Sequence, residues 1–186
     1  MSNIVLITGA TGSGKSTISH RVAESFPKSI HIQVDNLRDM MVKGMVAPKP
    51  FNQWSEEEKQ QVLQQFQWAR STAIYMTKLY ANQGVAVVID DVITPNFVEQ
   101  YAALFEISGV QRVLLYPKAS AVIERVKQRG GPWDHVLIDF VPLSYNLLEP
   151  MPKDGWIVLD SGEWTIEQTV HEVLSKIGVV PGNAQS

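Results

Sequence analysis

Five short apolar runs punctuate the chain, at 4–8, 30–34, 85–90, 111–116 and 156–159. They are rich in Val and Ile. Several lack the apolar–polar alternation of a half-exposed strand, which predicts parallel strands covered on both faces. Between them lie stretches with helical spacing. One covers 16–26 and stops at Pro27. The longest runs from 55 to about 82; it opens on a capping box, Ser55 as N-cap with Glu58 three residues on, and closes before Gly84. A third follows Thr94 and Pro95, where proline suits the first helical position. A fourth is expected from about 118 to 128 and a last from about 166 to 177.

Strands alternating with helices predict an α/β fold with a five-stranded parallel sheet flanked by helices, built from right-handed crossovers. A length of 186 residues fits one domain, 1–186. Two stretches stand outside the alternation: 43–54, with Gly44, Pro48 and Pro50, and 129–134, with Gly130, Gly131 and Pro132. Proteins of this class place ligand-covering parts in such irregular stretches. The last residues, 178–186, are expected to fray.

The first apolar run leads into Gly9-Ala10-Thr11-Gly12-Ser13-Gly14-Lys15-Ser16, which fits the pattern G-x-x-x-x-G-K-[ST] between a strand and a helix. Glycines there let successive N–H groups turn inward as an anion nest, and the helix that follows points its positive end at the same spot. The spacing assigns residues 9–17, through Thr17, to the phosphates of ATP. Lys15 supplies a mobile cation, and the Ser16 hydroxyl is placed for Mg²⁺.

Asp35 follows the second strand directly. Ligands bind beyond the carboxyl ends of parallel strands, so Asp35 is expected in the same crevice as the phosphate loop. A carboxylate there can accept the proton of an attacking hydroxyl; an aspartate in that place could also cap the short helix that follows. Asp90 and Asp91 end the third apolar run, where an acid commonly stands beside Mg²⁺. Asp90 is the favoured metal partner, and Asp91 is expected on the acceptor side with Asp35 and Arg38.

Val34-Asp35-Asn36-Leu37 and Val87-Val88-Ile89-Asp90-Asp91-Val92, taken with the phosphate loop, resemble the chloramphenicol 3-O-phosphotransferase family. The likeness covers most of the chain to about Gly130. It implies a three-layer P-loop kinase fold with a five-stranded parallel sheet, and Asp35 as catalytic base. Read as D-x-x-R, the segment Asp35–Arg38 also resembles the kinase domain of phage polynucleotide kinase, in which the arginine helps hold the acceptor. In the resembling kinases, arginines matching Arg125 and Arg129 close over the nucleotide and neutralise charge on the transferring phosphoryl group, so 125–134 is expected to form a lid and Arg129 to be catalytic, unless the run is simply a solvated charged face. The two are four apart and share one helical face. Unlike the antibiotic kinase, this chain has Gly131-Pro132-Trp133 where a further arginine would stand.

Composition narrows the partner. A net charge of −3 and a pI of about 5.8 argue against nucleic acid, whose phosphates demand a concentrated basic surface. With no cysteine, thiolate chemistry is excluded. The four histidines, His20, His31, His135 and His171, show no metal-ligand spacing and are assigned no chemistry. No run approaches about 18 uninterrupted apolar residues, so the protein is expected to be soluble and cytoplasmic. Met40, Met41, Met45, Phe51 and Trp54, with Phe66 and Trp68, could line an apolar acceptor pocket or simply be core. The resulting expectation is ATP- and Mg²⁺-dependent transfer to a small-molecule hydroxyl. A polynucleotide 5′-hydroxyl kinase is disfavoured by the charge. A non-transferring ATP-binding regulatory module would leave Asp35 without a purpose.

Overall fold

The computed structural model describes residues 3–47, 49, 53–131, 134–150, 153 and 155–179, without the side chains of Arg129, His135 and Val136. In chain order the elements are β1 (Ile4–Gly9), α1 (Lys15–Glu24), β2 (Ser29–Gln33), α2 (Val34–Asp39), α3 (Glu56–Ala81) and β3 (Ala86–Asp91). Two single turns, α4 (Pro95–Val98) and α5 (Ala102–Phe105), follow. Then come β4 (Val110–Leu115), α6 (Ala119–Arg129), α7 (Asp134–Leu148), β5 (Ile157–Leu159) and α8 (Ile166–Lys176).

All five expected strands form, in one parallel sheet of order β2-β3-β1-β4-β5. The chain builds outward from β1 to one edge, then returns to lay β4 on the other side. The carboxyl end of β1 is therefore the switch point where crossovers diverge and a crevice opens. Side chains alternate across the pleat. Ile4 and Leu6 of β1 pack with Ala69, Ala73 and Ile74 of α3, while Val5 and Ile7 pack with Ile18 and Val22 of α1 and Val173 and Leu174 of α8. Burial on both faces is why the run shows no alternation.

α3 begins as its capping box predicts. Glu58 N donates to Ser55 Oγ at 3.2 Å, and Ser55 N to Glu58 Oε2 at 2.8 Å. Boundaries elsewhere move by one or two residues, so that α1 ends at Glu24, Val34 opens α2 and Asp91 still belongs to β3.

α7 has no counterpart in the sequence expectation. Pro142 inside it and the glycines before it break the helical signal, yet the helix continues through the proline. Tertiary packing overrides the local cost: Val141 is buried against Val122 and Val126 of α6 in a third apolar cluster. The segment expected as a lid is thus the end of α6 and the start of α7, with Gly130 in the left-handed region at φ 70°. The expected fraying of 178–186 lies outside the described residues, except at Gly178 and Val179, whose amides bond back to Ser175 and Leu174.

Candidate active site

The phosphate loop leaves β1 and enters α1 through Gly14, which serves as N-cap with φ 93° and ψ 3°, a conformation side chains resist. Gly12 is also left-handed, at φ 81°. A Cβ there would stand 2.4 Å from Val126 Cγ2, so α6 lies hard against the loop. The first intrahelical bond runs from Ile18 N to Gly14 O at 3.0 Å. Amides of the preceding turn, at Lys15, Ser16 and Thr17, have no carbonyl of their own helix to meet, and such amides suit an anion.

Asp90 and Asp91 are neighbours in sequence and opposites in space, because the pleat sends consecutive side chains to opposite faces. Asp90 turns toward α1, where Ser16 Oγ donates to its Oδ1 at 3.0 Å. Asp91 turns toward α3. Its Oδ2 accepts from Arg70 Nε at 2.6 Å and from the Tyr101 hydroxyl at 3.0 Å. Burial pushes the Asp91 carboxyl above its usual range, opposed by the guanidinium of Arg70. Burial, then the charge of Asp91, pushes the Tyr101 phenol well up, so it stays a neutral donor. Asp91, expected to face the acceptor, is instead buried behind Arg70, and Arg70 is the one of the pair on the cavity wall.

A cavity of about 1090 Å³ runs from residues 11–17 of the phosphate loop to Asp35 and Arg38 on α2. Asp35 is exposed on its wall, in the first turn of α2. Gln33, not Asp35, occupies the N-cap position, so the capping role does not account for the aspartate. Arg38 is 10% exposed; its guanidinium lies 4.7 Å over the Phe66 ring, and its Nε has no hydrogen-bond partner among the described residues. Arg70 stacks on Phe97 at 4.4 Å and approaches Phe66 at 5.3 Å.

The apolar wall differs from the expected one. Trp54 and Phe66 line the cavity, but Met40, Met45 and Trp68 are exposed, and Phe51 lies outside the described residues. Trp68, two residues from Phe66, is turned to the opposite side of α3 by the helical repeat. Leu137, Phe140, Leu143 and Leu147 of α7 supply the missing surface.

Arg125 reaches from α6 to the loop after β5, donating from Nη2 to the carbonyls of Ser161 at 2.7 Å and Gly162 at 3.0 Å. It lines the cavity on that side. The backbone of Arg129 ends α6, and its side chain lies outside the described residues, so the shared face with Arg125 is not seen. Sequence reasoning missed Arg70, Tyr101 and His31, whose Nε2 stands 2.5 Å from Asp90 Oδ2. Arg70 carried a readable signal. It falls on the apolar stripe Phe66, Ala69, Ala73, Thr77 of α3, and a charge there must find a buried partner.

The donor set suits Mg²⁺: a hydroxyl and a carboxylate, both hard oxygens, meet at 3.0 Å beside the phosphate loop. Among the described residues no cluster of three or more His, Asp or Glu forms a cage, so a cation here would complete its shell with phosphate oxygens and water. No helix among the described residues is long and apolar enough to cross a membrane.

The family description for the AAA domain (AAA_18) matches residues 5–135. Comparison with curated proteins finds no match. Among solved structures, the chain is similar to a sugar kinase from Janibacter sp. HTCC2649, at 23% identity over 100% of both chains with a TM-score of 0.68. It is similar to the tunicamycin resistance protein of Deinococcus radiodurans, at 19% identity over 97% of this chain and 98% of that one, TM-score 0.66. It is also similar to shikimate kinase from Bacteroides thetaiotaomicron, at 15% identity over 95% and 99%, TM-score 0.67. At these identities the likeness establishes the P-loop kinase fold.

Proposed function

The chain belongs to the AAA domain family (AAA_18), and from that footing we propose that it is an ATP-dependent phosphotransferase that moves the γ-phosphoryl group onto a hydroxyl of a small, largely apolar molecule, an antibiotic or a metabolite. One observation carries this reading: a single cavity is lined both by the phosphate loop and by the exposed Asp35. A passive nucleotide binder has no use for that carboxylate. The kinase names of the structural neighbours, which include a gluconokinase from Sinorhizobium meliloti 1021, support the same direction.

In this reading the loop from Gly9 to Thr17, with Ala10, Thr11 and Ser13 between the glycines, cradles the phosphates, and Lys15 follows the charge that moves to the β–γ bridge. Arg125 and Arg129 serve the nucleotide from α6. Asp35 takes the acceptor's proton as its oxygen bonds to the γ-phosphorus; the bond to the β–γ bridging oxygen breaks, and ADP leaves. Mg²⁺, held through Ser16 and Asp90, would neutralise charge on the β- and γ-oxygens. Arg38, with Arg70 held by Asp91, orients the acceptor against Phe66 and Phe97. The apolar side chains of α7 favour an acceptor with an aromatic or aliphatic body over a bare polyol. A cytoplasmic location would supply the ATP.

The test is an acceptor screen that follows ADP release and the mass of the product. The reading expects ADP and a singly phosphorylated alcohol in equal amounts. ADP release indifferent to every alcohol, or phosphate found only on oligonucleotide 5′ ends, would contradict it.

A further inference from the structure

Asp90 is held from two sides. Ser16 Oγ approaches Oδ1 at 3.0 Å from α1, and His31 Nε2 stands 2.5 Å from Oδ2, reaching across from β2. The pair is well shielded: the His31 side chain is 10% exposed and that of Asp90 2%. The register makes the contact natural. β2 lies parallel to β3, with His31 beside Val88 and Gln33 beside Asp90. Ile30 and Ile32 join the apolar cluster on the α3 face, so alternation turns His31 to the α1 face, the face of Asp90. An ionised carboxylate only accepts hydrogen bonds, so Nε2 of His31 carries the hydrogen in this pair.

A carboxylate beside a cation has two oxygens and a soft terminal torsion. Left alone, it can swing between one-oxygen and two-oxygen contact. A donor fixed at Oδ2 occupies that oxygen and sets the plane of the group, leaving Oδ1 beside the Ser16 hydroxyl. We propose that His31 is the positioning residue of the metal site, pinning Asp90 through Oδ2 so that Oδ1 and Ser16 Oγ together face a nucleotide-bound divalent cation. This rests on the phosphotransferase reading only in taking Ser16 and Asp90 as the cation's protein partners. Partners behind metal-binding groups commonly change metal affinity about 10–100-fold.

The experiment uses Mn²⁺ as the probe, with free Mn²⁺ followed by electron paramagnetic resonance in the presence of ADP and the full chain. ADP binding in chelator is measured alongside by calorimetry. His31→Leu should weaken Mn²⁺ in the ADP complex by about 10–100-fold and leave metal-free ADP binding unchanged. His31→Gln, whose amide can place a donor near the same point, should recover most of the loss. Native Mn²⁺ affinity in the leucine variant overturns the proposal, as does an equal fall in metal-free ADP binding, which would make His31 a packing residue. Should the leucine variant not fold, His31→Gln against the shorter His31→Asn decides: near-native Mn²⁺ binding in the first and weakened binding in the second supports the pin, and equal affinities overturn it. A wild-type chain that binds no nucleotide would sink the phosphotransferase reading itself. Nucleotide binding with variants that match wild type would sink only the role of His31.

Discussion

The end of the cleft at the phosphate loop is made chiefly of main chain, and the end proposed for the acceptor of side chains drawn from three helices. At the first end, one eight-residue motif, Gly9–Ser16, spans the end of a strand, a turn and the start of a helix, and its glycines shape the backbone that would meet the anion. At the second end, Asp35 and Arg38 come from α2, Phe66 and Arg70 from α3 and Phe97 from α4. The two ends meet at β3, whose consecutive aspartates serve one each: Asp90 bonds to Ser16, and Asp91 to Arg70. A generic ligand part can be held by backbone, which every sequence possesses. A particular acceptor needs particular side chains, and those are free to differ among chains that share the fold.

The largest effect expected from disturbing this division is at Asp35. Asp35→Asn keeps size and shape but cannot take a proton, so transfer should fall about 10²–10⁴-fold while ATP binding by titration hardly moves. Lost ATP binding would assign Asp35 to the phosphate end instead. Arg70→Met should act on the acceptor end through stability, leaving Asp91 charged and buried without its partner, at a cost of about 3–5 kcal/mol. The sign with pH follows from the raised Asp91 carboxyl. Without Arg70 it rises further, so the folded state binds a proton more tightly than the unfolded one. The deficit against wild type, read from thermal melts, should grow as rising pH ionises Asp91 in the fold and shrink as acid protonates it. A deficit independent of pH would mean the pair is not ionic.

At the phosphate end, Lys15→Ala should lower kcat about 10²–10³-fold, the scale for losing one preorganised donor, with the far-ultraviolet circular dichroism unchanged. Near-native turnover would remove the loop from the chemistry. The smallest effect is at the start of α3. Ser55→Ala removes the cap and should cost about 1 kcal/mol in denaturant melts. It should also loosen the segment before it, because Glu58 of the same box accepts from Lys49 Nζ at 2.6 Å. A changed acceptor KM with an unchanged ATP KM would show that this segment belongs to the acceptor end.

How much of this was legible follows the same division. Strand positions could be read because apolar runs buried on both faces leave little ambiguity, and the phosphate loop because each of its residues has a fixed task. Asp90, first off the strand, could be favoured as the partner of Ser16, but the pairing of Asp91 with Arg70 could not be read, since sequence gives adjacency and not what the opposite face meets. α7 was hidden by Pro142, whose cost is offset by burial of Val141 against α6, a contact no local pattern encodes. Without α7, the expected apolar wall includes Met40, Met45 and Trp68, which are exposed, beside Trp54 and Phe66, which do line the cavity. His31 looked idle because its partner is a carboxylate 59 positions away, not a second ligand at metal spacing.

The central claim is that both ends act on one phosphoryl group at once, Asp35 as base and the loop as cradle. Stereochemistry at phosphorus tests it most directly. ATP made chiral at the γ-phosphorus with oxygen isotopes would be turned over with the alcohol that scores in the acceptor screen, and the configuration of the product determined. Direct in-line transfer within one cavity predicts inversion. Retention would contradict it, because two displacements through a phosphorylated side chain would make Asp35 or another group a nucleophile rather than a base.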